Sequence, residues 1–320
     1  MVKIAVAGGT GILNEKLNVP GVAREVVDAL AATKKHDILV LSRKPGHVSY
    51  AKTDYSSVEE LSGLLRGYDV VLSFVAPYLD QSEAALAQKN LIDASIEVGV
   101  KRFAPSEWAS AGFEYLPWYS YKAETRQYLE KINKDSKVLD YCLFQPGLFT
   151  NYLAQPYRTT NHLDAIETPF DFNNRRMIVC AGGDDQKVTM TTVTDFANVV
   201  AMAVEYPGDW PVVGGMKGSD LSLRDLLTLG EQMRGPFEVS KVDVDLLHQG
   251  DCESPWLPKV QHPSIPPEAV EHASKSVTAG LLSAIDAGAF QSNDAWNVLL
   301  PDYKFEDAES FLSKVWCGKP

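Results

Sequence analysis

The stretch that decides the fold is residues 2–23, VKIAVAGGTGILNEKLNVPGVA. Its first six residues form an apolar run that stops at a glycine, as in a strand buried on both faces. Gly8-Gly9-Thr10-Gly11 follows directly, and Gly21-Val22-Ala23 opens a helical pattern that runs to Thr33. A glycine turn from a strand into a helix is the mechanical core of dinucleotide binding. Gly8 permits the tight turn, Gly11 lets the backbone approach a pyrophosphate, and the helix N-terminus offers free N–H groups and a positive dipole end. Here the nine residues Ile12–Pro20 stand between the two halves. Read without a gap, the third motif position is Asn14, and Pro20 falls inside the helix, which it would break. Read with an insertion, the third position is the small Ala23, and Pro20 sits near the first helical turn, where proline is tolerated. The second reading is the one adopted. Extra loop length costs little entropy. The insertion either arches over the phosphates or closes their site.

Outward from this stretch the pattern repeats. DILVLS (37–42), DVVLSFVA (69–76), KRFAPS (101–106) and VLDYCLFQPG (138–147) read as strands. SVEELSGLLRG (57–67), SEAALAQKNLIDASIEVG (82–99) and YKAETRQYLEKINK (121–134) read as helices between them. Apolar strands separated by helices predict an α/β fold with a doubly wound parallel Rossmann sheet. After Gly147 the pattern loosens. TTVTDFANVVAMAVE (191–205) is one more helix, with its cap expected near Thr194 or Asp195. The expected organisation is a dinucleotide-binding domain over 1–150, its sheet and helices completed by 176–205, and a smaller C-terminal α/β substrate lobe over 151–320. In an open α/β sheet, ligands bind at the carboxyl ends of the strands.

The composition narrows the class. Of 320 residues, 45% are hydrophobic and 22% charged, as in an ordinary globular protein. A net charge of −12 repels phosphate backbones, so no nucleic-acid partner is expected. No apolar run is long enough to span a membrane. The N-terminus reads straight into a strand, with no signal-peptide pattern. The four cysteines lack metal-like spacing and read as reduced thiols, so a cytoplasmic protein is expected. His162, His248, His262 and His272 show no metal spacing either.

The second strand ends in Ser42-Arg43-Lys44. An acidic residue here would bind the ribose 2′-hydroxyl of NAD, whereas Arg43 and Lys44 suit the 2′-phosphate of NADP. Phe74, at the end of LSFVAP, packs either near a cofactor or in the core.

GGTG, SRKP, DVVLSFVA, QKNLIDASIEVGVKRFAPSEW and YKAETRQYLE together resemble the isoflavone reductase/NmrA-like group of atypical short-chain dehydrogenases, in order and spacing across about 1–205. VGVKRFAPSE is the most specific stretch. The resemblance implies a Rossmann domain with a small substrate lobe. It implies NADPH as the cofactor and small aromatic or polyketide-like substrates in the reducing members. It also covers members that bind the cofactor as sensors. In the reductases a lysine beside the nicotinamide matches Lys122. The tyrosine of the ordinary Tyr-x-x-x-Lys pair is replaced by Trp118, with Tyr119 and Tyr121 displaced in helical phase. Ser106 is then expected to position a substrate oxygen, with Tyr121 as a further candidate acid. Glu107 is expected to fix the loop or pair with Lys122 or Arg102. Trp108-Ala109 stands where the family commonly has Phe-Gly, and Trp108 is expected at the pocket floor. Gln145 and Pro146 are expected on the nicotinamide side, with Phe149, Asn151 and Tyr152 toward the substrate.

Three functions remain open on these residues. The leading one is an NADPH-dependent reductase passing hydride to an enone, quinone methide or ketone, assisted by Lys122. The second is a dinucleotide-binding regulator acting through a protein partner. The third is a cofactor-free, redox-neutral isomerase, dehydratase or cyclase, if residues 12–20 close the phosphate site. A small-molecule substrate and a monomer or homodimer are expected in the enzyme readings.

Overall fold

β1 (Lys3–Ala7) carries Ile4 to Ala7, all fully buried, so both of its faces are covered. The computed structural model that shows this describes residues 1–8, 20–42, 50–77, 80–260 and 265–319. It divides the chain into two units, one of 1–108, 118–144 and 196–214, the other of 109–117, 145–195 and 215–320.

The first unit continues with α1 (Pro20–Thr33), β2 (Asp37–Ser42), β3 (Tyr50–Lys52), α2 (Val58–Leu65) and β4 (Val70–Ser73). Then come α3 (Gln81–Val98), β5 (Arg102–Ala104), α4 (Ser120–Ile132) and β6 (Asp140–Tyr141). The six strands form one sheet in the order β3-β2-β1-β4-β5-β6, and every pairing is parallel. The chain moves from β1 to β2 in one direction and from β4 through β6 in the other. Right-handed crossovers therefore place α1 on one face and α2, α3 and α4 on the opposite one. The packing agrees. Ala5, Ala7, Leu41, Val71 and Phe103 share a cluster with Leu61 and Leu65 of α2, Leu91 and Ile92 of α3 and Leu129 of α4. The alternate residues Ile4, Val6, Val40, Val70 and Leu72 are buried as well, as a sheet covered on both faces requires. This is the doubly wound Rossmann sheet expected from the sequence.

Helix α1 begins at Pro20, as the gapped reading of the glycine loop requires. Its buried stripe is Ala23, Val26 and Leu30, while Val22 stays half-buried. β3 is three residues long, too short for periodicity to reveal, and the sequence reading assigned no strand there.

The strand expected over 138–147 is broken. β6 stops at Tyr141, Leu143–Gln145 resumes, and Leu148–Phe149 pairs in a different sheet. Pro146 has no N–H for a ladder. Gly147 turns at φ +73°, and a Cβ there would meet the Thr189 carbonyl oxygen at 2.1 Å.

Strands 176–180 and 187–191 do not extend the six-stranded sheet. Within the second unit, Arg176–Cys180 lies between Phe170–Asp171 and Glu238–Val242, and Lys187–Thr191 lies between Leu148–Phe149 and Ser219–Ser222. α5 (Val193–Glu205) crosses the boundary, with Phe196 onward in the first unit. The cap is Thr192 rather than Thr194 or Asp195: its hydroxyl accepts from the Asp195 N–H at 3.0 Å and donates to the Asp195 carboxylate at 2.8 Å. Among the described residues no helix is long and apolar enough to cross a membrane.

Candidate active site

The sheet reverses its direction of growth at β1, between β2 and β4, and there Gly8 ends the strand at φ +77°. Glycine enters this left-handed region without strain. A Cβ at Gly8 would stand 2.7 Å from the Phe74 carbonyl carbon and 2.8 Å from the Val75 nitrogen, so a side chain here would force β1 and β4 apart. The Gly8 N–H is shared between the Leu41 carbonyl at 3.1 Å and the Tyr55 hydroxyl at 2.8 Å. Tyr55 in turn donates to the Leu41 carbonyl at 2.8 Å. Tyr55 is buried at φ +65°, and its carbonyl is held by the Asn90 amide at 2.9 Å. The sequence reading missed Tyr55. Its partners lie 14 and 47 residues away, and no local pattern marks such a contact.

A reversal point, a left-handed glycine against the neighbouring strand and a helix starting at Pro20 fit a dinucleotide. Thr10 and Gly11, expected at the phosphates, lie outside the described residues, as do Arg43 and Lys44. Most of the 12–20 insertion does too. Ser42 ends β2 just before that basic pair.

A continuous set of contacts leads from Gly8 to the lysine. The Phe74 N–H donates to the Ala7 carbonyl at 2.7 Å. The Phe74 ring stacks on Trp108, with centroids 4.4 Å apart and planes 11° apart. Trp108 Nε1 donates to the Ser73 carbonyl at 2.7 Å, and the indole also stacks on Phe144. Trp108 is 9% exposed and Phe74 5%, so both are buried against each other. A large aromatic with its N–H already bonded lowers its energy most by burial. Trp108 holds a positive φ of 47°, a conformation that costs a non-glycine residue about 1–3 kcal/mol.

The next residue back, Glu107, is 1% exposed. Its carboxylate takes two hydrogen bonds from Arg126 of α4, at 3.0 Å from Nε and 2.5 Å from Nη2. This overturns the expected pairing with Lys122 or Arg102. Arg102 instead reaches Asp140 at 3.5 Å and the Tyr206 carbonyl at 2.8 Å. Lys122 binds the backbone of the same residue: its Nζ donates to the Glu107 carbonyl at 2.5 Å. Glu107 thus joins the β5 loop to α4 through both its side chain and its main chain. Arg126 lies one turn beyond Lys122 on α4, and no family pattern singled it out.

Lys122 is 5% exposed. Burial lowers its ammonium to about 8; the Glu107 charge opposes that shift and Arg126 adds to it. Tyr121 is buried, and desolvation pushes its phenol far above the ordinary range, partly offset by a hydrogen bond with Ser106. A phenol so reluctant to ionise is a poor proton donor near neutral pH. The hydrogen bond between Ser106 and Tyr121 joins the loop after β5 to α4. Tyr119 is half-buried, and desolvation pushes its hydroxyl up to about 12.

The remaining expected residues belong to the second unit. Asn151 uses both ends of its amide. Its carbonyl accepts the first N–H of α5, from Val193, at 2.8 Å, and its amide donates to Thr159 at 3.0 Å. It caps a helix and also lines a cavity with Gln155, Tyr157 and Leu163. Phe149 is buried edge-on to Tyr152, which is half-buried. Pro146 is buried. Gln145 is 2% exposed, and its Oε1 is buried without a hydrogen-bond partner, so it keeps unused capacity for a ligand. Among the described residues, no cluster of His, Cys, Asp or Glu could hold a metal.

Fold and site together define a Rossmann-type α/β protein with a buried lysine at the carboxyl ends of its strands. The chain belongs to the NmrA-like family, whose family model matches residues 2–240. The oxidoreductase BOA1 of Botryotinia fuckeliana is 31% identical over 247 residues, which cover 73% of this chain and 77% of that protein. The oxidoreductase swnN of Metarhizium robertsii is 28% identical over 282 residues, 78% of this chain and 79% of that one. Among solved structures, an isoflavone reductase superposes with a TM-score of 0.68 at 19% identity, covering 98% of each chain. The NADPH-dependent quinone oxidoreductase of Escherichia coli, complexed with NADPH, gives 0.67 at 18%, covering 98% of this chain and 99% of that chain. At these identities the structural likeness speaks for the fold alone.

Proposed function

We propose that the protein is an NADPH-dependent reductase acting on a small aromatic or polyketide-like metabolite, with an enone, quinone methide or ketone as the reducible group. One observation carries this reading: an ammonium held at about 8 is buried on α4, linked through Glu107, Trp108 and Phe74 to the left-handed glycine at the sheet's reversal point. The relatives named as oxidoreductases support it.

The cofactor, when bound, supplies the hydride. The chain supplies orientation and a proton. Gly8 and the start of α1 would hold the phosphates, with Arg43 and Lys44 toward the 2′-phosphate. Lys122 keeps a proton at Nζ near neutral pH and can give it to, or share it with, an oxygen of the substrate. The Glu107 carbonyl fixes Nζ, while Arg126 occupies the Glu107 carboxylate and keeps it from capturing the ammonium.

Calorimetric titration with NADPH and then NADH tests the cofactor half. Tight NADPH and weak NADH binding is the expected result. No binding of either by the folded chain would return the lead to the redox-neutral reading. For the chemistry, a panel of enones, quinones and ketones is assayed at 340 nm, where Lys122→Ala should lower the rate by about 10²–10⁴-fold.

A further inference from the structure

Tyr119 precedes Lys122 by three residues at the start of α4, and the Lys122 Nζ lies 3.9 Å from the centre of the Tyr119 ring. This is close for a cation–π contact, which attracts an ammonium and does nothing for a neutral amine. The other groups around Nζ divide by sign. The Glu107 carbonyl accepts its hydrogen bond, and the Glu107 carboxylate favours the charge. Arg126 and burial oppose it. The Tyr121 ring centre stands further off, at 5.8 Å. Tyr119 differs from Glu107 in kind, because an aromatic face favours the ammonium without taking up its N–H groups as a carboxylate would. Nζ has three N–H groups and gives one to the Glu107 carbonyl, so donors are left for a substrate.

We propose that Tyr119 is a positioning residue, whose ring face keeps the Lys122 ammonium charged and so sets the pH range in which Lys122 donates a proton; the second half rests on the reductase reading. Trp118 occupies the place of the usual short-chain dehydrogenase tyrosine, and an aromatic one residue along serves the lysine through its face instead of its hydroxyl.

The test reads Lys122 directly. The ¹³Cε resonance of Lys122, assigned with Lys122→Arg, is titrated in the free folded protein for wild type, Tyr119→Leu and Tyr119→Phe. Tyr119→Leu should lower the midpoint by about one pH unit, the size expected of a desolvated cation–π contact. Tyr119→Phe keeps the ring and should stay near wild type. In the reductase assay, the falling limb of kcat/KM should move down by the same amount in Tyr119→Leu and recover in Tyr119→Phe. If Tyr119→Leu fails to fold, Tyr119→Met is read in its place. An unmoved midpoint in a variant with native circular dichroism overturns the proposal. So does a Tyr119→Phe midpoint displaced as far as that of Tyr119→Leu, since the hydroxyl would then be responsible. A displaced midpoint in a chain that reduces no substrate supports Tyr119's role and overturns the reductase reading alone.

Discussion

Lys122 shows how one residue links the fold to chemistry. Its ordinary pKa is 10.5, and in the fold burial lowers it to about 8. Between these values the unfolded chain binds more protons than the folded one, so stability rises with pH across that window. Below about 8 both states are charged, and the folded state bears the whole cost of the buried ammonium. Against Lys122→Met, wild type should therefore gain stability between pH 8 and 10.5, by on the order of 3 kcal/mol, in paired urea melts. A flat difference across that range would sink the assignment of a depressed lysine. Under the proposed reductase function the dependence runs the opposite way: the protonated Lys122 would be the donor, so kcat/KM should fall as pH rises through about 8. Tyr55 makes a second residue-scale case. Tyr55→Phe removes the hydroxyl that the Gly8 N–H and the Leu41 carbonyl both use, at an expected loss of about 1 kcal/mol. NADPH binding should weaken along with it, and calorimetry on the variant would show whether the glycine turn needs this prop.

At the scale of elements, α4 and the loop after β5 act as one piece. The bidentate Arg126–Glu107 pair is almost wholly inside the protein, with Glu107 at 1% side-chain exposure and Arg126 at 17%. Removing one partner leaves an uncompensated buried charge, so Arg126→Met should destabilise the fold by about 3–5 kcal/mol in chemical denaturation. α5 offers the contrasting case. Asn151 and Thr192 both cap its N-terminus. Asn151→Ala should cost about 1 kcal/mol of stability and leave KM for the reducible substrate unchanged. A large rise in KM at unaltered stability would put Asn151 on the substrate's side.

For the whole molecule, a ligand that binds only the folded chain stabilises it by mass action, by about 2.7 kcal/mol at a hundred times its Kd. NADPH should raise the melting temperature with its concentration, and NADH at equal concentration should do so far less. Equal shifts would remove the 2′-phosphate preference read from Arg43 and Lys44. On this scale the sequence was informative about architecture. Strands such as VKIAVA and DVVLSFVA are mostly apolar, as a sheet covered on both faces requires, and Gly99 caps α3 where the pattern ends it. Local pattern thus determined the Rossmann class and a helix opening close to Pro20 after the glycine turn, both matters of periodicity and turn chemistry, whereas Lys122 stood out only through the family resemblance. Only the tertiary structure decided which partner each polar group takes. Glu107 chose Arg126 over Lys122, Asn151 went to a helix end, Trp108 and Phe74 turned to each other, and Tyr55 rose beneath Gly8. Such choices depend on which buried donors and acceptors the packed chain brings within about 3 Å, and a buried polar group without a partner is costly enough to enforce them.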